Sequence, residues 1–431
     1  MPFEMPPAPR RRIAVIGGGI SGMAAAHLLA DQAEVTLFEA APRLGGHART
    51  VMAGRNGDQP VDTGFIVFNK VNYPHLTRLF DRLEVPYTES RMSFGASFGS
   101  GALEYGLADL GTLFAQKWRL ADPRFLRMIR DIVHFNAHAE TALTHPGLTI
   151  AEFLRELGTG AWFRDHYLLP FSGAIWSTPC AGVMDFPAHA LISFFRNHAL
   201  MSAEGQHQWY TVKGGSVQYV QRLQALLLDQ GVHLRLGCPI AAVRRAPGVE
   251  LRPEAGEWEA FDDVVFATHS DDSLRLLADP TPAERAALAA VSYQPNEAVL
   301  HCDAALMPKR RRVWSSWVYV EPKGPKPDRI ALSYWMNSLQ PIPQEDPMFV
   351  TLNATQPIRE DRIYDSVTFR HPVYDLAALK AQDQVRAMNG TRGTWFCGAW
   401  MRNGFHEDGF ASAVDVATAM AARDPLSMAA E

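Results

Sequence analysis

The pattern of apolar and polar positions divides this chain into three kinds of segment. Residues 12–16, 34–39 and 264–268 are short and nearly unbroken in apolar character, which predicts strands buried on both faces of a parallel sheet. Residues 394–399 predict a last strand of the same kind, and 410–422 a closing helix. Between residues 72 and 203 the period changes: 73–83, 123–143, 150–157 and 188–200 carry apolar side chains at helical spacing, predicting an inserted helical lobe. Residues 209–236 then return as a glycine turn, a helix and a strand, and 238–245 with 249–252 predicts a hairpin. Partial alternation at 298–302, 313–320, 330–336 and 348–353 predicts a mostly antiparallel sheet. The class is α/β, with one domain over 10–71, 204–290 and 391–424, interleaved with a second over 72–203 and 291–390.

The sharpest local chemistry lies between the first strand and the helix that begins near Ile20. Gly17, Gly19 and Gly22 form G-x-G-x-x-G: the first permits a tight turn, the second lets backbone approach a pyrophosphate, and the third lets helix pack on strand. With Gly18, Ile20 and Ser21 they make a dinucleotide cradle, because the helix start offers free N–H groups and partial positive charge. Glu39 closes the second strand 22 positions beyond Gly17, where a carboxylate can accept hydrogen bonds from a ribose diol, with Ala40 beside it. The loop Arg43-Leu-Gly-Gly-His47 suits close backbone approach at Gly45 and Gly46 and offers Arg43 to a phosphate or ribose; a surface turn is the competing reading. A glycine interrupting 61–68 marks another such approach.

Composition narrows the function classes. The 431 residues are 47% hydrophobic with a net charge of −5, which argues against nucleic acid as a partner. The basic run Lys309-Arg-Arg-Arg312 reads as a solvated hairpin end or as a contact with an anionic membrane. Cys180, Cys238, Cys302 and Cys397 are too scattered for a zinc or dithiol site, and no metal is expected. Residues 13–16 are too short for a signal-peptide core, and no apolar run reaches the roughly 18 to 20 residues that span a bilayer. The expectation is a cytoplasmic protein with peripheral membrane contact allowed.

Taken together these segments resemble the flavin-dependent amine oxidase and phytoene desaturase superfamily, through the glycine turn, Glu39 and the Arg43 to Gly46 loop. The superfamily's middle segment is similar to Gly214-Gly-Ser with Cys238-Pro-Ile240, where the Ile240 backbone would meet adenine. Its last segment resembles Phe396-Cys-Gly-Ala399, containing Gly398, and Gly409-Phe-Ala-Ser-Ala413, where Phe410, Ala411 and their neighbours would bond the flavin. More closely, Gly45-Gly-His47, Asp62-Thr-Gly-Phe-Ile-Val-Phe-Asn69 and Gly404-Phe-His-Glu-Asp-Gly409 look like a bacterial branch often encoded beside cyclopropane-fatty-acid-synthase-like methyltransferases. His47 departs from the arginine usual in amine oxidases, and Ala399 and Ala411 from their acids.

The resemblance implies a Rossmann-like FAD-binding domain of glutathione-reductase type, and FAD held non-covalently, since no cysteine lies between Cys302 and Cys397, the segment through which some monoamine oxidases attach flavin. It implies desaturation or oxidation of an apolar acyl chain, methyl-branched or unsaturated, by hydride transfer to flavin N5, with a methyltransferase as pathway partner. Double-bond isomerisation, amine oxidation and a non-catalytic lipid escort are the alternatives. His47 and His406 are the acid/base candidates, each with a structural role as the competing reading. Phe65, Ile175, Trp176, Trp209, Tyr334 and Trp335 are the candidates for lining the substrate cavity, against simple core packing.

Overall fold

The computed structural model describes residues 10–423, apart from 146, 177–179, 202–205, 246–247 and 325–328. Its nucleotide half is built on five parallel strands in the spatial order His233–Arg235, Ala33–Phe38, Arg11–Ile16, Asp263–Phe266, Thr394–Phe396. The strand of highest apolar continuity takes the centre, and Ile13 to Ile16 are buried. The helix Ile20–Leu29 that follows it has almost no polar side, and nine of its ten residues are buried. It lies between the sheet and the last helix, His406–Ala421, and the contact is close: a Cβ on Gly409 would stand 2.8 Å from both Ile20 and Ser21.

The second half is a seven-stranded sheet in the order Ile363–Val373, Ser292–His301, Phe349–Leu352, Leu332–Trp335, Trp317–Glu321, Phe94–Phe98, Leu103–Gly106. Every junction is antiparallel except that between Trp317–Glu321 and Phe94–Phe98. The mixed α/β architecture and mostly antiparallel second sheet agree with the sequence pattern. Residues 72–203 are not helical throughout, however. Phe94–Phe98 and Leu103–Gly106 join the large sheet, and Tyr87–Ser90 pairs with Trp209–Val212, before the helices Pro123–His138, Ile150–Leu157 and Ala188–Asn197 cover it. Short strands with small residues such as Gly95 and Gly106 carry little periodicity, which is why this region read as helix and loop. The helix expected over 410–422 begins four residues earlier, because Asp408 accepts a hydrogen bond from the Phe405 N–H at 2.9 Å and closes the first turn from inside.

Asp62 ties the two halves together. It is fully buried at the end of Gln59–Asp62 and accepts from the Ser216 N–H, the Ser216 and Thr50 hydroxyls and the Gln340 amide at 2.6–3.0 Å. Burial raises its pKa to about 6, against the pull of those donors. One side chain thus fixes the stretch 63–67 against both the nucleotide half and the large sheet.

Candidate active site

Where the carboxyl ends of the parallel strands meet the large sheet, a cavity of about 470 Å³ opens. One side of it is backbone. Gly17, Gly18, Gly19, Ile20, Ser21, Glu39, Gly45, Gly46 and Gly398 line it, with Ala267 and Thr268 from the end of Asp263–Phe266. The glycines are spent in different ways. A Cβ on Gly22 would fall 1.8 Å from the Gly17 carbonyl oxygen, and Gly17 itself has φ +108° with the Ala267 carbonyl 2.8 Å from where its Cβ would be. Both serve the turn and the packing of helix on strand. Gly19 differs, because nothing lies within 4 Å of a Cβ there. Its Cβ would enter open space at the start of Ile20–Leu29, where a helix presents free N–H groups to an anion.

Glu39 lines the same cavity with a carboxylate that accepts from the Gly18 N–H at 2.5 Å and the Ala41 N–H at 2.7 Å. Open space at a helix start, with a carboxylate one strand away, is the donor and acceptor set that a dinucleotide needs. These residues fit FAD.

Several residues expected to meet the cofactor are not among those lining this cavity. Arg43 turns back, donating to the carbonyls of Leu44, Gly46 and Ala48 at 3.1 Å, so it shapes the loop. Burial, then the neighbouring Arg49, lowers its pKa. Ala40 is exposed, and Ile240 is buried beside Ile16 and Phe38 in a strand paired to Val249–Pro253. Gly22, Gly409, Phe410 and Ala411 are packing positions under the cavity, and Phe410 stacks on His75.

The opposite side of the cavity is made of side chains. Phe65, Ile175, Trp209 and Tyr334 line it as expected from sequence, joined by Met92 and Leu352. Trp335 does not. Successive residues of a strand face opposite ways, and Trp335 packs on Trp314 on the far face of Leu332–Trp335. The side chain of Trp176 lies outside the described residues.

Four imidazoles gather where the two sides meet. His47 stacks on Phe369 at 4.8 Å, with His371 at 5.7 Å and His269 at 6.0 Å. His406 stacks on Phe65 at 4.0 Å and its Nε2 is 2.5 Å from the Tyr219 hydroxyl. Burial lowers His47 to about 4 and His269, His371 and His406 to about 3, so all four are neutral near pH 7. At those values His47 and His406 are unprotonated near pH 7 and weak bases; each stacks on an aromatic ring, and His406 also meets the Tyr219 hydroxyl. Among the described residues, Glu39 and Asp272 are the carboxylates that line the cavity. His269, Asp271 and Asp272 lie close enough to suggest a metal site, but Arg370 occupies both aspartates.

His269, His371 and Phe369 were missed in the sequence. His269 was legible in principle, three residues beyond the buried strand Asp263–Phe266, where open parallel sheets place ligand contacts. His371 and Phe369 lie on Ile363–Val373, whose pattern of exposure gave no signal.

Among the described residues no helix is long and apolar enough to cross a membrane. Residues 20–309 match the family described as "Flavin containing amine oxidoreductase". The chain is 28% identical over 308 residues to hydroxyneurosporene desaturase of Cereibacter sphaeroides, covering 62% of this chain and 57% of that one. In fold it is similar to the CLA-producing fatty acid isomerase from P. acnes, with TM-score 0.67 and 17% identity over 95% of this chain and 98% of that chain. Cyclohexylamine oxidase from Brevibacterium oxydans is similar to the same degree, with TM-score 0.67 and 16% identity over 96% of this chain and 99% of that chain. The chain belongs to the flavin containing amine oxidoreductase family, and its cofactor is FAD.

Proposed function

We propose that this protein oxidises an apolar acyl chain, methyl-branched or unsaturated, by desaturation. FAD, when bound, supplies the acceptor for a hydride leaving a substrate carbon. The chain's own part is to bind, orient and exclude water, and the side of the cavity facing the glycine cradle is suited to that. Ile66, Val67, Met92, Leu339 and Leu352 offer an acyl chain an apolar surface with no charge to desolvate.

The observation that carries this reading is the state of the two carboxylates. A protonated amine entering a dry cavity needs a free anion. Glu39 is held by two backbone N–H groups, and Asp272 is paired with Arg370 and Arg275. The neutral imidazoles add no charge. A relative named for desaturation supports the same reaction type, and the chain spans 57% of that relative's length. Desaturation removes a hydride, which would pass to the flavin, and a proton from the neighbouring carbon, for which the unprotonated His47 and His406 are the acceptors at the cavity.

The test is to purify the protein with its flavin and titrate it without oxygen against fractions of a lipid extract. Bleaching of the flavin by an acyl-lipid fraction, with a new double bond in the recovered lipid, is the expected outcome. Turnover that moves a double bond without bleaching would replace desaturation by isomerisation. Bleaching by simple polyamines and by no lipid fraction would overturn the reading.

A further inference from the structure

On the outer surface of the second half, apolar side chains collect in one segment. Of the eleven large apolar side chains exposed among the described residues, six lie between Leu107 and Val133: Leu107, Leu110, Trp118, Leu120, Leu126 and Val133. Leu110 is 75% exposed, and Trp118 and Leu120 are 58% exposed. Single exposed apolar residues need no explanation, but a cluster with an indole among them does. On Pro123–His138, Leu126, Arg130 and Val133 lie at i, i+4 and i+7, so apolar and basic groups share one solvent-facing stripe.

The charge around this segment is the reverse of the chain's. The basic run 309–312 packs against it, with the Arg310 guanidinium 5.2 Å over the Trp118 ring and paired at 2.7 Å with the buried Glu104. Lys309, Arg311 and Arg312 are exposed beside it, as is Lys117. Counting residues 107–133, Glu104 and 309–312, the patch holds nine basic and four acidic side chains on a chain whose net charge is −5. Three of the four acids are already engaged: Glu104 by Arg310, Asp122 by Arg119 and Arg124, and Asp131 by Arg127 and Arg130. What remains outward is apolar and net cationic, with Lys117, Lys309, Arg311 and Arg312 against the single exposed Asp109.

We propose that this face docks on an anionic lipid bilayer, with Leu110, Trp118 and Leu120 entering the headgroup boundary and Arg311, Arg312 and Lys117 meeting lipid phosphates. Interfacial binding combines these two contributions: indole and leucine side chains bury apolar area, while long basic side chains keep their charge at the headgroups. A second copy of this chain fits the face less well, since two such patches would oppose like charges. The proposal stands independently of the substrate reading, because it rests on the outer surface and not on the cavity.

The test is co-sedimentation of the full flavin-bearing protein with vesicles of phosphatidylglycerol and phosphatidylcholine in equal parts, and with phosphatidylcholine alone. Binding to the anionic vesicles that weakens in salt is expected. Each basic residue near an anionic surface contributes about fivefold in partitioning, so the pair Arg311→Glu and Arg312→Glu should lower it by at least about tenfold. The pair Trp118→Ser and Leu120→Ser should lower it comparably while the salt dependence of the remainder is kept. An unchanged flavin spectrum and Tm show that both variants fold. Equal binding by wild type and both variants, or equal binding to the two vesicle types, would overturn the proposal. So would failure to bind vesicles together with a concentration-dependent dimer that Trp118→Ser abolishes, which would give the face to a second copy.

Discussion

The two sides of the cavity are built on opposite plans. The cradle side is backbone, contributed by Gly17 to Ser21, Gly45, Gly46 and Gly398, and two of its supporting contacts leave no room for a methyl group. The far side is side chains from strands distant in sequence, Tyr334, Leu352 and Phe369 among them, and the titrating imidazoles sit where the two sides meet. A surface made by leaving atoms out binds one ligand and tolerates little change. One made by adding side chains can be resurfaced residue by residue while the cofactor stays where it is.

The contrast breaks most severely at the cradle. Gly22→Ala puts a methyl group 1.8 Å from the Gly17 carbonyl, and the helix Ile20–Leu29 must move. The expected result is protein purified without flavin, with apoprotein stability lowered by about 3 kcal/mol, at the upper end of overpacking costs, as read by urea unfolding. Gly19→Ala is its counterpart. Its methyl group meets nothing within 4 Å, so apoprotein stability should stay within about 0.5 kcal/mol of wild type. FAD binding, followed by flavin fluorescence, should still weaken, because the methyl group occupies the space the ligand needs. Equal loss of stability in both variants would erase the distinction.

Acid tests the other side. His47, His269, His371 and His406 have folded pKa values of about 4, 3, 3 and 3, below the ordinary histidine value. The stability these imidazoles lend is therefore full above the ordinary value of about 6.5 and is lost as pH falls through the folded values. Asp62 and Asp408, both raised to about 6, work in reverse. Their contribution is full below the ordinary carboxylate value of about 3.9 and is lost as pH rises through the folded value. His301 and His198 are lowered too and Asp263 and Glu407 raised, so six imidazoles oppose four carboxyls, and the apoprotein should lose on the order of 3 kcal/mol between pH 7.5 and pH 5.5. Urea unfolding at the two pH values measures it, and His371→Gln should reduce the difference. A stability that rises on acidification would mean that the carboxylates dominate.

The smallest effect separates neighbours on one strand. Tyr334→Ala should raise the substrate KM by roughly tenfold, the scale of one apolar contact in a pocket, with FAD affinity unchanged. Trp335→Ala should leave both unchanged, since its ring faces the other way. Steady-state kinetics with whichever lipid bleaches the flavin decides between them.

The same contrast explains what could be read from the sequence. The cradle is local: its strand, turn, helix and acid fall within residues 11–39, and glycine spacing records the shape directly. The parallel sheet followed from unbroken apolar runs for the same reason. The far wall depends on which strands come together and on which of two alternating faces each presents. Tyr334 and Trp335 are adjacent aromatics on one strand and opposite in outcome. Arg43 donates to the carbonyls of its own loop, a use of the guanidinium that glycine spacing does not record. The strands Phe94–Phe98 and Leu103–Gly106 were missed because a buried edge pair needs no alternation.

The contact of Gly409 with Ile20 and Ser21 bears on how the molecule is made. The helix Ile20–Leu29 is translated long before His406–Ala421, the helix that covers it. At about 5 to 20 residues per second, the intervening chain takes on the order of half a minute or more to be translated. Through that interval the apolar flank of Ile20–Leu29 has no lasting cover, and the pairing that closes it is among the longest in sequence that a chain of this size can form. Flavin binding therefore waits on synthesis through the helix His406–Ala421, and a chain released short of residue 406 would leave that flank open to aggregation and proteolysis.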